Sequence, residues 1–435
     1  MALPRFTFTT RARPFLEVGI GDSRVQAQAA RWDVQRWDAA DALWSGVEPD
    51  WQDVTCEAYA VNIVAGRDRA ADRFGVGTMT VTARNLSGWA DLEPPDPDDW
   101  NTLMLRPGRS IRFGVDHAAA GRLVLFRGYV DAVRPSYDPD DLDTVTLDCI
   151  DALGEVGRVL LIDDADPSHQ GETVTARLGR ILDGAQWPPA KRQLAGSSLT
   201  LLPAALAGQA ADLLGIASDS GGGSVFGDTS GSIRYRALDW QMWSGPPDAT
   251  IGNVGVDDVC PIRWERPFAR EDISNLVTLA NRREPDPDRV LASDSTSWGL
   301  YGVEPFERTD LDTEAVPTLQ LLADRFLETR GADTIPRVRS VSLDGRTGDN
   351  VVDLLSTTTP FRPSRYRCRL LLDRGLVFDA QYLNTGVRHD IGPDAWTSDL
   401  TLDLAAPWEM TGSARWEPAD EPDTGRSRWD RILWN

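Results

Sequence analysis

Short stretches of strict period-two alternation recur along this chain and constrain its fold more than any other feature. Ile111, Phe113 and Val115 alternate with Arg112 and Gly114, and Val145, Leu147 and Cys149 with Thr144, Thr146 and Asp148. Tyr366, Cys368 and Leu370 alternate with Arg365, Arg367 and Arg369, and Leu400, Leu402 and Leu404 with Thr401 and Asp403. Successive strand side chains point to opposite faces, so each stretch offers one face to a core and the other to solvent or a partner. The intervening segments are rich in Pro, Gly and Asp, as in Glu93-Pro94-Pro95-Asp96-Pro97-Asp98-Asp99. Short strands between such turns predict barrels or sandwiches.

Helical spacing is rarer. Val174, Leu178, Ile181 and Leu182 share one helix face, which stops before Gly184. A second helix is expected from about Ala204 to Leu214, leading through Ser220-Gly221-Gly222-Gly223 into a hairpin of Ser224-Val225-Phe226 and Ile233-Arg234-Tyr235-Arg236. Leu319, Leu322, Ala323 and Phe326 form a third face, closed by Gly331. Helices set between β-rich blocks, without regular strand–helix alternation, predict inserted α+β modules rather than βαβ units. One internal correspondence stands out. Gly128-Tyr129-Val130, a Pro139-Asp140 turn and Val145-Thr146-Leu147-Asp148-Cys149 parallel Gly386-Val387-Arg388, a Pro393-Asp394 turn and Leu400-Thr401-Leu402-Asp403-Leu404. It predicts two similar β-barrels in one chain.

At 435 residues the chain exceeds what one hydrophobic core usually supports, so two to four domains are expected. No run approaches the roughly 20 apolar residues that cross a bilayer. The start, Met1-Ala2-Leu3-Pro4-Arg5-Phe6-Thr7, has neither the charged nor the apolar region of a signal peptide, so the product is expected first in a cytoplasm. Asp and Glu number 67 against 45 Lys and Arg, a formal charge of −22. Such a surface repels nucleic acid, whose non-specific binding rests on phosphate neutralisation; the plainer alternative is that the acidity serves solubility. Lys191 is the one lysine among the basic residues.

Nothing in the sequence assembles a reaction centre. Cys56, Cys149, Cys260 and Cys368 are scattered without a CxxC pair, and Cys149 and Cys368 sit on apolar strand phases as expected of buried free thiols. His117, His169 and His389 form no HExxH, and no GxSxG elbow occurs. His389 is expected in a loop. The Ser220 to Gly231 segment lacks the Gly-Lys-Ser/Thr ending of a phosphate-binding loop. With so many carboxylates, the paired acids of a glycoside hydrolase would arise somewhere by number alone, and Asp138–Asp143 and Asp286–Asp288 complete no calcium loop. No cofactor, metal or catalytic residue is expected.

The two ends carry tryptophan. Arg31-Trp32-Asp33 and Arg36-Trp37-Asp38 are followed by Trp44 and Trp51, and Arg428-Trp429-Asp430 recurs after a polar linker from about Glu417 to Ser427. Trp429, Ile432 and Leu433 would share one face of a short helix. Trp32, Trp37, Trp44, Trp429, Ile432 and Leu433 are therefore the candidate subunit interface, because Trp dominates interface hot spots; folding back onto their own domain is the alternative.

The order of segments has a parallel. Trp44-Ser45-Gly46-Val47-Glu48-Pro49-Asp50-Trp51 and Asp53-Val54-Thr55-Cys56 precede a Gly66-Arg67-Asp68-Arg69 turn. Phe74-Gly75-Val76-Gly77-Thr78-Met79-Thr80-Val81, Asn85-Leu86-Ser87-Gly88-Trp89, Arg106-Pro107-Gly108-Arg109 and Leu125-Phe126-Arg127-Gly128-Tyr129-Val130-Asp131 follow. This succession resembles the minor tail proteins of long-tailed phages of high-GC actinobacteria, within the wider family of tail-tip or baseplate-hub proteins. The Leu213 to Arg236 segment, Leu300-Tyr301-Gly302, and Val387-Arg388-His389-Asp390-Ile391 with Trp396 resemble later segments of that family.

The resemblance implies a mainly β chain with α+β insertions, two similar β-barrel domains plus two inserted modules, assembled as a homotrimer. The expected division is an N-terminal arm (1–50), a first barrel (51–160), an inserted module with helix and hairpin (161–255), a discontinuous second barrel (256–300 and 346–410), an inserted helical module (301–345) and a C-terminal tail (411–435). The implied role is non-enzymatic: a virion tail-tip hub, assembled in the host cytoplasm, that adapts a hexameric tail tube to a three-fold tip and closes or lines the DNA channel until ejection. Its implied partners are its own copies, distal-tail and other tail-tip proteins, the tape-measure protein, and DNA that passes without specific binding. A distal-tail ring, another minor tail protein, a tail-tip cell-wall hydrolase and a carbohydrate-binding adhesin are the alternatives.

Overall fold

A computed structural model of the chain describes residues 12–20, 49–55, 58–67, 73–85, 105–117, 121–137, 143–162, 171–237, 249–253, 258–265, 273–283, 285–330, 338–345, 365–371, 376–404 and 417–418. The first strands are β1 (Ala12–Ile20), β2 (Asp50–Asp53), β3 (Ala58–Gly66), β4 (Thr78–Arg84), β5 (Ser110–His117), β6 (Gly121–Ser136) and β7 (Thr144–Ile150). A first insertion follows, with α1 (Ala152–Gly157), β8 (Leu160–Leu161), α2 (Val174–Gly184), β9 (Arg192–Leu194), β10 (Gly208–Gln209), α3 (Ala210–Ser220), β11 (Ser224–Gly227) and β12 (Ile233–Arg236). Next come β13 (Ala249–Gly252) and β14 (Arg263–Glu265). The second insertion holds β15 (Leu276–Asn281), β16 (Arg289–Ser293), α4 (Ser295–Tyr301), β17 (Pro305–Leu311) and α5 (Val316–Arg330). The chain returns through β18 (Ser340–Asp344), β19 (Arg365–Leu371), β20 (Leu376–Ile391), β21 (Trp396–Leu404) and β22 (Glu417–Pro418).

Fourteen strands form one sheet with the path β14-β18-β21-β20-β3-β4-β7-β6-β5-β1-β2, with β19 and β22 attached to β20 and β13 attached to β19. Two units of like topology lie within it. In unit one the spatial order is β3-β4-β7-β6-β5; in unit two it is β14-β18-β21-β20-β19. Chain order maps onto spatial order identically in both. The central strands β6 and β20 are each 16 residues long, and each pairs along its first half with the strand before it and along its second half with the strand after it.

The agreement reaches individual residues. Each long strand carries one bulge against its follower, between Val130 and Ala132 in β6 and between Asn384 and Gly386 in β20. Aligning these bulges makes Asp131 the counterpart of Thr385. The inward row Val61, Val81, Leu147, Val133 across β3, β4, β7 and β6 then matches Trp264, Val341, Leu400, Val387 across β14, β18, β21 and β20. Val81, Leu147, Val341 and Leu400 are fully buried, and each contributes roughly 1.5–3 kcal/mol by leaving water. The correspondence expected from sequence was right in kind but set out of register. Gly386 matches Ala132 rather than Gly128, and Leu402 matches Cys149, because the bulges and not the glycines mark equivalent points.

The expected pair of closed barrels is not formed by these pairings. The second half of β20 takes β3 on its free side, with Gly386 opposite Gly66 and Ile391 opposite Val61, so a strand of unit one occupies the edge on which unit two would close. The two units share a single core that runs from Leu16 and Val18 through Ile63, Met79 and Phe113 to Tyr382, Trp396 and Leu402.

Each insertion has its own core. In the first, Val174, Leu178, Ile181 and Leu182 of α2 pack with Trp187, Leu214 and Tyr235, as the helical spacing requires. The Asp151 side chain caps α1 by accepting from Gly154 N, and Thr173 caps α2 through Ala176 N. The helix expected over Ala204 to Leu214 starts later, at Ala210, directly after β10, where Gly208 takes a φ of 134° that no helix residue adopts. In the second insertion, Leu319, Leu322 and Ala323 of α5 cover Val277, Leu279 and Val290, and Phe306 stacks on Phe326 at 4.2 Å. Its sheet is β16-β15-β17, with β15 parallel to β17. The segment 256–300, expected wholly in the second barrel, therefore divides. β14 belongs to unit two, whereas β15 and β16 leave the large sheet because α5 buries their apolar face. Within the segment 301–345, β17 and α5 stay with the second insertion but β18 returns to unit two.

Candidate functional site

The joint between the units is the most constrained place in the sheet. Gly66 holds a φ of 108°, and a Cβ on it would lie 2.3 Å from the Thr385 carbonyl oxygen and 2.4 Å from Gly386 Cα. Glycine is thus required twice over, for the backbone conformation and for the approach of two strands. Arg67 N donates to Thr385 O at 2.9 Å, and Asn62 Nδ2 donates to Asp390 Oδ1 across the joint.

His389 sits in the middle of this joint, opposite Ile63 on β3 and Ser398 on β21. The sequence placed it in a loop; the structure places it in a strand, fully buried. Val387, His389 and Ile391 all face inward while Arg388 and Asp390 face out, so period two carries the imidazole into the core. Its Nδ1 meets Ser398 Oγ at 2.8 Å, its ring stands edge-on to Trp396, and its Nε2 has no hydrogen-bond partner among the described residues. Burial, only partly opposed by Asp390, lowers its pKa to about 4, so the ring is neutral at pH 7.

A second cluster clasps the two insertions together. Arg177 of α2, 2% exposed, bonds to Glu172, to Asp312 at 3.3 Å and to the Leu202 carbonyl at 2.6 Å. Arg180 reaches Glu172 at 3.0 Å, and Arg282 reaches Asp312 at 2.8 Å. Burial acts to raise the pKa of Glu172, but Arg180 and Arg177 outweigh it and hold the carboxyl below its usual range. Main-chain contacts reinforce the clasp: Leu202 N donates to Asp312 O at 2.6 Å, and Asp312 N to Ser220 Oγ at 2.7 Å. Nearby, Asp219 of α3 receives Arg73 of unit one and Arg308 of β17, at 2.5 and 2.8 Å. A charge buried with complete partners costs little, while the same charge stripped of one partner is expensive. The insertions are therefore fixed to each other and, through Arg73, to unit one.

The carboxylate with the clearest upward shift, Asp151, is also a structural group. Burial raises it to about 6 although Gly154 N and Gly77 N both donate to it at 2.9 Å. A Cβ on Gly77 or Gly227 would strike its oxygen, so backbone packs closely against it on two sides. Among the described residues no group of three or more His, Cys, Asp or Glu is placed to hold a metal ion. Cys149 and Cys368 are both buried, as their strand phase predicts, and burial pushes the Cys149 thiol far above the usual thiol range; Cys260 is exposed.

The six side chains expected at a subunit interface, Trp32, Trp37, Trp44, Trp429, Ile432 and Leu433, lie outside the described residues. Their anchor points do not. Ile20 pairs with Asp50, so the described residues that flank the segment carrying Trp32, Trp37 and Trp44 stand side by side in the sheet. Beside it, the Trp51 ring lies under the Arg112 guanidinium at 4.1 Å and Arg127 at 5.2 Å. Buried Glu17 joins Arg112 and Arg122, which tie β1 to β5 and β6. No helix among the described residues is long and apolar enough to cross a membrane.

No protein-family model matches the chain, and no curated protein matches it. Solved structures do. The tail protein from Neisseria meningitidis MC58 aligns with a TM-score of 0.57 at 14% identity, over 91% of this chain and 98% of that one. The 43 kDa tail protein of prophage MuSo2 from Shewanella oneidensis aligns with a TM-score of 0.54 at 10% identity, again over 91% and 98%. At such identities the likeness is one of fold, and it spans nearly the whole of both.

Proposed function

We propose that this chain is a structural hub at the tip of a bacteriophage tail, non-enzymatic and built from three copies. The observation that carries this reading is the pair of like units, matched strand for strand and joined edge to edge. Each unit stands for one of the two barrels the sequence leads one to expect. Three copies supply six units, which suits a protein lying between a six-fold tube and a three-fold tip. A distal-tail ring with one such unit per chain would need no second unit. The two tail proteins of like fold support the tail assignment, and the order of short motifs supports the actinobacterial long-tailed type within it.

The excess of acidic residues fits the same role. A ring whose inner wall is negative lets DNA pass without adhering. In the virion the hub would contact distal-tail and other tail-tip proteins and the tape-measure protein, and it would close or line the channel until ejection. Native mass spectrometry of the full chain, with copy counting in intact particles, tests the reading: three copies are expected, and six or one would overturn it. A clearing zone around the purified chain on host cell walls would overturn the non-enzymatic assignment.

A further inference from the structure

The joint inside the chain uses one edge from each unit: β3 from unit one and the second half of β20 from unit two. Both edges exist a second time, at the outer ends of the pair. β14 is the counterpart of β3, and the second half of β6 is the counterpart of that of β20. Among the described residues β14 pairs only with β18, and Ala132–Ser136 of β6 pair only with β7.

We propose that these two outer edges join copies of this chain to one another, β14 of one copy against the second half of β6 in the next, in the arrangement β3 and β20 adopt within one chain. The proposal rests on the trimeric reading and adds to it the surfaces, the register and the relative strength of the joints. Ile391 stands opposite Val61 and Asp390 opposite Asn62 in the internal joint. Their counterparts set Tyr137 opposite Trp264 and Ser136 opposite Glu265. A large apolar side chain already stands beside the β14 edge: Ile262, the residue before that strand, is 61% exposed, and an apolar group left in water there favours association.

The joint between copies is the weaker of the two, for a reason visible in the backbone. Hydrogen-bonded pairs alternate along an antiparallel ladder. Since Arg67 N bonds to Thr385 O, the residues of β20 that bond toward β3 are Thr385, Val387, His389 and Ile391. The counterpart of His389 is Pro135, which has no N–H to offer outward. Proline at this place leaves the ladder to β7 intact while removing a donor from the exposed edge, a known way of restraining indiscriminate strand addition. Contact between copies thus relies more on side chains, and the ring alternates between firm and looser joints.

Disulfide trapping tests this directly. Ser136 and Glu265 would form a non-bonded pair with Cα atoms about 4.5 Å apart, within reach of a disulfide. In a full-length Cys260→Ser background, Ser136→Cys combined with Glu265→Cys should give, on mild oxidation, a ladder of linked chains ending at three, while each single variant should not. Ile262→Glu should raise the dissociation constant of the assembly about tenfold or more with the circular dichroism spectrum unchanged. A wild-type trimer whose double-cysteine variant does not cross-link and whose Ile262→Glu variant stays trimeric would overturn the proposed joint and leave the hub reading standing. A wild-type chain that is monomeric at high concentration would remove both.

Discussion

Units one and two share strand order, a bulge at the same point of a 16-residue strand and a matching inward row, yet they differ in what borders them. Unit two receives β3 along its long strand; in unit one the same stretch of the long strand pairs, among the described residues, with β7 alone. Unit two encloses its insertion between its first and second strands, β14 and β18, whereas unit one completes its five strands before its insertion begins. At the decisive position one carries His389, buried and bonding through its main chain to β3, and the other carries Pro135. The difference teaches that one topology serves two joints, and that a single missing N–H is enough to rank them.

The heaviest blow to this arrangement is expected at Gly66. Gly66→Val forces a side chain into the backbone of Thr385 and Gly386 from a conformation that L residues rarely adopt, and should cost about 4 kcal/mol or more in urea unfolding. A midpoint shifted by under one kcal/mol equivalent would mean that the units are not locked at this point.

Next comes the clasp that binds the insertions despite their different places in the units. Asp312→Ala leaves Arg177 and Arg282 short of a carboxylate in a buried setting, and about 3 kcal/mol should be lost by the same measurement. Asp312→Asn, which keeps some of the hydrogen bonding, should lose less.

The pH dependence of the joint is the third test. His389 titrates near 4 in the folded chain, below the roughly 6.5 of an unfolded histidine. The unfolded state therefore binds more protons between these values. The joint's full stability is present above about pH 6.5 and falls as pH drops toward 4, by about 3 kcal/mol in all. Asp151, raised to about 6, acts in the opposite sense, favouring the fold at lower pH and losing that contribution as pH rises through 6. His389→Gln should flatten the histidine part of the profile and leave the Asp151 part in place. An unchanged profile would mean the imidazole is not titrating from the core.

The smallest effect is expected at the counterpart of His389. Pro135→Val restores an N–H at an outer edge without disturbing the ladder to β7, so the unfolding midpoint should move by no more than about 0.5 kcal/mol. Its signature lies elsewhere, in tighter self-association or a new tendency to polymerise. If Pro135→Val instead destabilises the single chain as strongly as changes at His389, the two positions are not counterparts.

Much of this is legible in the sequence. Val145, Leu147 and Cys149, like Leu400 and Leu402, face inward as period two requires, and the stripe Val174, Leu178, Ile181, Leu182 is the buried face of α2. These are local patterns, set by strand and helix geometry. His389 was legible too, since it continues the alternation of Val387 and Ile391, but a polar run of Arg388, His389 and Asp390 between Gly386 and Pro393 looks like a turn unless that phase is trusted. The late start of α3 was harder, because Ser218 and Ser220 are buried with its apolar side chains and blur the stripe. The joint and the clasp were not legible at all. Gly66 meets Gly386, and Arg177 meets Asp312, across most of a unit or more of chain, and nothing near either residue names its partner. Arg177 on the apolar side of α2 was the one local hint that a buried carboxylate waited elsewhere.

The β3 edge has a consequence for biosynthesis. A ribosome finishes β3 long before it reaches the residues of β20 that cover it, and at roughly 5–20 residues per second the wait is tens of seconds. During that interval the edge of β3 that carries Val61 and Ile63 has no β20 to pair with. Chains emerging side by side on one polysome would then compete with their own C-terminal third for that edge, which makes slow elongation or a chaperone at this stage a determinant of how much correctly joined protein the cell obtains.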